Sequence, residues 1–172
     1  PRLAAAALAV AAVLLLIPGG PSAFWRHSPI GAGGMPPRLG GANEARQIQH
    51  AARRAILWEQ EGVESSVAVH ALAEISFVIN GKSDGTALRD APTQVMSGLI
   101  GAALHPQPRR ALVIGLGSGS SAGWLAEVPG MERVDVLELE PAILEVARLC
   151  APVNHDVLEH PKVRVTIGDG RE

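Results

Sequence analysis

The sequence predicts an α/β fold, present as the first half of a doubly wound parallel sheet. Three observations predict it. A short apolar run, residues 111–114, leads straight into Gly115-x-Gly117-x-Gly119, and a helical pattern follows from Ser121. About twenty residues on, a second strand at 134–137 ends in Glu138-Leu139-Glu140-Pro141. A third, residues 163–167, alternates in polarity and ends in Gly168-Asp169-Gly170. This is the β-α-β-α-β order of a parallel sheet, whose ligand site lies at the carboxyl ends of the strands. Glycines at the first turn let the backbone bend sharply and leave room for a ligand against the main chain.

The 172 residues suit one domain with an appendage. A net charge of −2 gives no nucleic-acid footprint. Tyr is absent and aromatics make up 3% of residues, so apolar burial must come from Ala, Val, Leu and Ile. The single cysteine, Cys150, excludes an internal disulfide and is expected as a small core residue on a helix. The chain opens on Pro1 and stops at Glu172 just past a strand, so it reads as a piece of a longer protein.

The pattern divides the chain into residues 1–18, 19–42, 43–90 and 91–172. Residues 3–17 are unbroken Ala, Leu, Val and Ile. They fall short of the roughly 20 that span a bilayer, a gap that a missing start would close. The expectation is the end of a membrane-spanning helix, with a signal-peptide core or a buried soluble helix as the other readings. After it come Arg26, Arg38, Arg46, Arg53 and Arg54, opposed by Glu44 alone. By the positive-inside bias that side, and the nucleoside-binding domain, is cytoplasmic. Phe24 and Trp25 suit the headgroup zone. Residues 19–42 read as a linker, with His27 solvated.

Asn43 is expected to cap a short helix over 44–54. Residues 55–59, 66–70 and 75–79 are β-type segments, predicting a small antiparallel domain of three strands that closes on an Asn80-Gly81 turn. His70 is expected near the surface of a strand, without partners for a metal. Asp90 starts the next helix with Pro92 in its first turn. There Val95, Met96, Leu99, Ile100 and Ala103 form a stripe expected to be buried, and Gly98 and Gly101 permit close packing. Pro141 opens a further helix, and residues 153–156 are expected as a loop.

The loop lacks Gly-Lys-Ser/Thr, which disfavours a P-loop, and Ser120 stands where a dinucleotide fingerprint needs its third glycine. An adenosine carrying a sulfonium fits better than a pyrophosphate. Glu138 is placed to bind ribose hydroxyls, or else to cap the Pro141 helix. Asp169 is placed to accept from an adenine amino group, or else is a turn residue. Glu140 reads as a helix-start cap.

Asn80-Gly81 after the strands, Thr93-Gln94-Val95-Met96 in the next helix, and the run from His105 through Arg109-Arg110 to Gly119 together resemble the spermidine synthase family. Glu138-Leu139-Glu140-Pro141 and Gly168-Asp169-Gly170 complete the likeness, which covers about residues 55–172. More narrowly the chain is similar to membrane-fused spermidine synthase-like proteins of bacteria. The resemblance implies a small N-terminal β domain, a Rossmann-like domain of the class I methyltransferase type, and decarboxylated S-adenosylmethionine as aminopropyl donor to an amine such as putrescine, with no prosthetic group. It implies Glu138 on the ribose and Asp169 on the adenine side, with Gly115, Gly117, Ser118, Gly119 and Gly170 around the donor. Gln94 matches the glutamine of a substrate-pocket Tyr-Gln pair. The chain departs from the family twice: Thr93 replaces that tyrosine, and Ser118 replaces the acid that holds the donor's amine. The catalytic base of the family falls beyond Glu172, so the piece alone is expected to be inactive. Expected partners are a small-molecule amine and the membrane through residues 3–17, with no nucleic acid or metal, and a homodimer left open. An S-adenosylmethionine-dependent methyltransferase, and a non-catalytic nucleoside-binding membrane protein on the same fold, are the alternatives.

Overall fold

A computed structural model describes residues 2–16, 26–28, 41–71 and 74–171. The apolar N-terminal run is helical over α1 (Arg2–Leu16). At 1.5 Å per residue it is about 22 Å long, against the ~30 Å of a bilayer's hydrocarbon core. Among the described residues no helix is long and apolar enough to cross a membrane. The expected membrane-spanning helix over 1–18 therefore gains no support from this element, and Phe24, Trp25 and most of the linker lie outside the described residues. Helix α2 (Ala42–Ala55) starts two residues earlier than expected, with Gly41 as its N-cap. Asn43 is not the cap; its Oδ1 accepts from Arg46 at 3.1 Å.

A four-stranded antiparallel sheet follows in the order β1 (Ile56–Glu61), β2 (Ser66–Ala71), β3 (Ile75–Ile79), β4 (Lys82–Thr86). The expectation of three strands is one short. Strand β4 reads Lys-Ser-Asp-Gly-Thr, with no apolar alternation, and only Gly85 is buried. It forms because the Asn80-Gly81 turn, with φ of 50° and 78°, folds it back onto β3. Central β2 is buried on both faces: Val67 and Val69 enter the core, while Ser66, Ala68 and His70 face residues 26–28. His70 Nε2 bonds to His27 O at 2.6 Å. His27 is itself buried, its ring 3.3 Å from the Glu59 carboxylate. Both histidines were expected at the surface; the returning segment covers the strand and removes them from solvent.

Helix α3 (Ala91–Leu104) has Asp90 at its N-cap, but the carboxylate turns back to accept from Thr86 N at 2.7 Å and Thr86 Oγ1 at 3.0 Å. Its expected buried stripe is half-bare, with Met96 and Ile100 exposed and no residue of the helix fully buried. Gly98 does permit close packing: a Cβ there would stand 2.7 Å from Ser121 O.

The second sheet is parallel, in the order β5 (Arg110–Ile114), β6 (Arg133–Glu138), β7 (Val163–Ile167). Helices α4 (Ser120–Ala126), α5 (Ile143–Leu149) and α6 (Ala151–Asn154) accompany it, α6 replacing the start of the loop expected at 153–156. Val134 and Val136 face a core with Ala122, Leu125, Val146 and Cys150. Cys150 is fully buried there, and burial pushes its thiol up to about 11. The other face is open at β5, expected to be buried but carrying Leu112 at 61% and Ile114 at 73% exposure. The three-stranded parallel sheet is Rossmann-like, with one face covered where parallel sheets normally bury both.

Candidate functional site

The glycine loop begins where β5 runs out. Gly115 N still reaches Leu137 O at 2.8 Å, and then the chain leaves the sheet. Gly115, Gly117 and Gly119 have φ of 89°, 54° and 79°, a region that costs any residue with a Cβ. Three such positions alternate with Leu116 and Ser118, both buried.

Two buried side chains fix this loop. Glu138, at the end of β6 and 8% exposed, accepts Leu116 N at 2.7 Å through Oε2 and Glu140 N at 2.9 Å through Oε1. Asn154, fully buried, donates from Nδ2 to Ser118 O at 2.7 Å and to Ala147 O at 2.8 Å. Gly119 packs against the same corner, where a Cβ would meet Val157 at 2.5 Å and Asn154 at 2.9 Å.

The antiparallel sheet and α3 stand over the loop. Ser118 Oγ donates to Gln94 Oε1 at 2.5 Å, and Gln94 Nε2 donates to Thr86 O at 3.2 Å, so the glutamine links the loop to the end of β4. The ring of Phe77 lies beneath Gly85, where a Cβ would be 2.8 Å away, and 3.9 Å from a Cβ built on Gly117. On the other side the turn between β1 and β2 is held by Glu140. Its Oε2 accepts Glu64 N at 2.7 Å and Ser65 N at 3.0 Å, and its Oε1 accepts Ala142 N at 2.9 Å. Gly62 lies flat against this carboxylate; a Cβ there would come within 2.3 Å of Oε1. Burial works against ionisation of Glu140 and is the largest single influence. The N–H donors of Ala142, Glu64 and Ser65 together outweigh it and hold the carboxyl below the ordinary glutamate value.

These elements enclose a cavity of about 630 Å³. Of the residues singled out in the sequence, Gly115, Gly117, Ser118, Glu138 and Gln94 line it. Thr93, Gly119, Asp169 and Gly170 do not. Thr93 is exposed on α3. Gly119 is the N-cap of α4. Asp169 stands at the same carboxyl edge, since Gly168 N bonds to Glu138 O at 2.9 Å, but its carboxylate is engaged by Arg171. That guanidinium, followed by the Arg171 backbone N–H, holds Asp169 below the usual carboxylate range.

Four residues that shape the cavity carry no sequence signal for doing so. Phe77 reads only as an apolar strand residue, Asp84 lies in a strand with no alternation, and Asn154 reads as a loop residue. Glu140, read as a cap, does cap its own turn, but it also holds a segment far away in the chain.

Set beside known proteins, the fold is one that solved structures share. Solved structures of spermidine synthase align with it: the enzyme from Thermotoga maritima gives a TM-score of 0.62 at 18% identity, over 67% of this chain and 42% of that one. A spermidine synthase in complex with the transition state analogue AdoDATO gives 0.62 at 18% identity, over 67% of this chain and 41% of that one. Residues 93–172 match the family model described as Spermine/spermidine synthase domain. A polyamine aminopropyltransferase of Nitrosomonas europaea is 41% identical over 68 residues, 39% of this chain and 21% of that protein. A spermidine synthase of Dictyostelium discoideum is 37% identical over 68 residues, 40% of this chain and 24% of that protein. Over residues 93–172, then, the chain is similar to the spermine/spermidine synthase family. It spans about a fifth to a quarter of the length of these curated relatives.

Proposed function

We propose that the chain carries the nucleoside-binding part of an aminopropyltransferase of the spermidine synthase type. The donor is decarboxylated S-adenosylmethionine and the acceptor a small amine such as putrescine. The observation that carries this reading is the cavity itself. In one space it joins a backbone loop of glycines, a buried carboxylate at the end of the second parallel strand, and Gln94 from the matched segment. Glu138 already accepts hydrogen bonds from two backbone N–H groups, and each of its oxygens keeps a lone pair for a ribose hydroxyl. The relatives' names and the AdoDATO complex of a solved spermidine synthase support the aminopropyl reading over methyl transfer.

In this reading the acceptor nitrogen attacks the aminopropyl carbon next to the sulfonium. The carbon–sulfur bond breaks, its electron pair stays on sulfur, and 5′-methylthioadenosine leaves. The new ammonium then loses a proton to a base that no residue described here supplies. What this chain contributes is orientation: the glycine loop and Glu138 hold the nucleoside so that its side arm extends toward Ser118 and Gln94. Asp169 joins the site on the adenine side once a nucleoside draws it from Arg171. The arginine-rich flank after α1 supports a cytoplasmic location for this site, which protease protection in intact cells tests.

Calorimetric titration decides the chemistry. Tighter binding of the decarboxylated donor than of S-adenosylmethionine is expected. Preference for S-adenosylmethionine would sink the aminopropyl reading in favour of methyl transfer.

A further inference from the structure

The charge lining the cavity is one-sided. Glu64, Asp84, Glu138 and Glu140 contribute carboxylates, and among the described residues the lining includes no Lys or Arg. These four are not equivalent. Glu140 is occupied by three backbone N–H groups and works as a clasp. Glu138 is tied to Leu116 N and Glu140 N beside the ribose position. The backbone of Glu64 is fixed by that clasp at the far turn. Asp84 differs: its bond is an exposed ion pair with Lys82 at 2.9 Å, a kind worth little and readily exchanged.

Its position also differs. Asp84 precedes Gly85, and Gly85 lies within contact of the Phe77 ring and the Gln94 amide. Asp84 thus sits at the Ser118–Gln94 end of the cavity, away from the β1–β2 turn. The polar groups in the lining there are neutral. Ser118 Oγ is committed to Gln94, and Gln94 is bonded at both ends of its amide. A cationic group reaching this end would meet one carboxylate able to exchange its partner.

We infer that Asp84 is the side chain that holds the ammonium of the donor's aminopropyl arm, and so selects a donor with a net positive arm. This rests on the aminopropyltransferase reading and adds to it the residue that recognises the arm. Asp84 acts through an ion pair with the ligand, so its removal affects a charged donor and spares a neutral nucleoside. S-adenosylmethionine brings a carboxylate to the same end, and Asp84 repels it.

The test is equilibrium binding of decarboxylated S-adenosylmethionine and of neutral 5′-methylthioadenosine to the full chain and to Asp84→Asn. The expected result is about five- to tenfold weaker binding of the decarboxylated donor with unchanged binding of 5′-methylthioadenosine. Unchanged affinity for both ligands overturns the assignment. Parallel loss of both also overturns it, because the role is specific to charge. A wild-type chain that binds neither ligand overturns the aminopropyltransferase reading, and this inference falls with it.

Discussion

On the parallel-sheet side of the cavity the loop is held by buried side chains that bond to backbone, whereas on the antiparallel side β4 is held by its ladder to β3, the Phe77 ring and surface ion pairs. Glu138 and Asn154 each satisfy two main-chain groups around the glycine loop, and each is at most 8% exposed. Asp84, at the cavity's edge, pairs with Lys82 within reach of solvent. The two sides therefore differ in what a substitution does. A change on the loop side leaves buried polar groups unpaired and costs stability; a change on the β4 side alters charge and recognition while the fold stands. Glu140 joins the two sides and shares properties of both.

The largest effect is expected at Gly123, in α4 against the Asn154 corner. A Cβ there would stand 1.8 Å from Asn154 O, a backbone atom that cannot turn away. Gly123→Ala should lower stability by about 3 kcal/mol or more, read by chemical denaturation, because α4 and α6 must separate. A loss below about 1 kcal/mol would mean the corner is soft, and the contrast between the sides would go with it.

Next comes Glu138→Gln, which keeps shape and removes charge. The new amide NH₂ must face Leu116 N or Glu140 N, setting donor against donor in a buried site. The expected cost is about 1–3 kcal/mol in stability, with 5′-methylthioadenosine binding weakened about tenfold. Full retention of binding would remove Glu138 from the ribose.

Glu140→Gln sharpens the comparison through pH. The native carboxyl titrates below its ordinary value of 4.5. Its stabilisation is thus complete above that value and is lost as pH falls through the lower native one. Wild type should therefore lose stability on acidification from about pH 5 downward more steeply than Glu140→Gln. Parallel pH profiles of the two proteins would show that the clasp does not depend on charge.

The smallest effect belongs to Lys82→Ala. The pair with Asp84 is exposed, and its loss should move stability by no more than about 0.5 kcal/mol. A larger drop would show that the β4 side leans on its ion pair.

Much of the loop side was legible in the chain. The Gly-x-Gly-x-Gly pattern between an apolar run and a helix predicts the positive-φ turn, and the acid after the second strand predicts Glu138 at its mouth. Cys150 is the core residue expected. The β4 side was not legible: β4 is a polar pentapeptide, and it pairs because the Asn80-Gly81 turn presents it to β3. The burial of His27 and His70 was misread for the same reason, since nothing local to either says that residues 26–28 return over β2. The stripe on α3 was read as buried because periodicity marks an apolar face and does not say what covers it.

The sequence by itself determined the three parallel strands and the helices that follow the first two, the conformations its glycines must take, and the carboxylate that ends the second parallel strand, because each depends on neighbours a few residues away. The tertiary structure alone decided that Asn154 holds the loop from 36 residues away and that Glu140 closes on Glu64 across 76. Those contacts follow from which surfaces the packed sheets bring together, and a buried N–H or carbonyl then takes whichever partner lies within 3 Å or so.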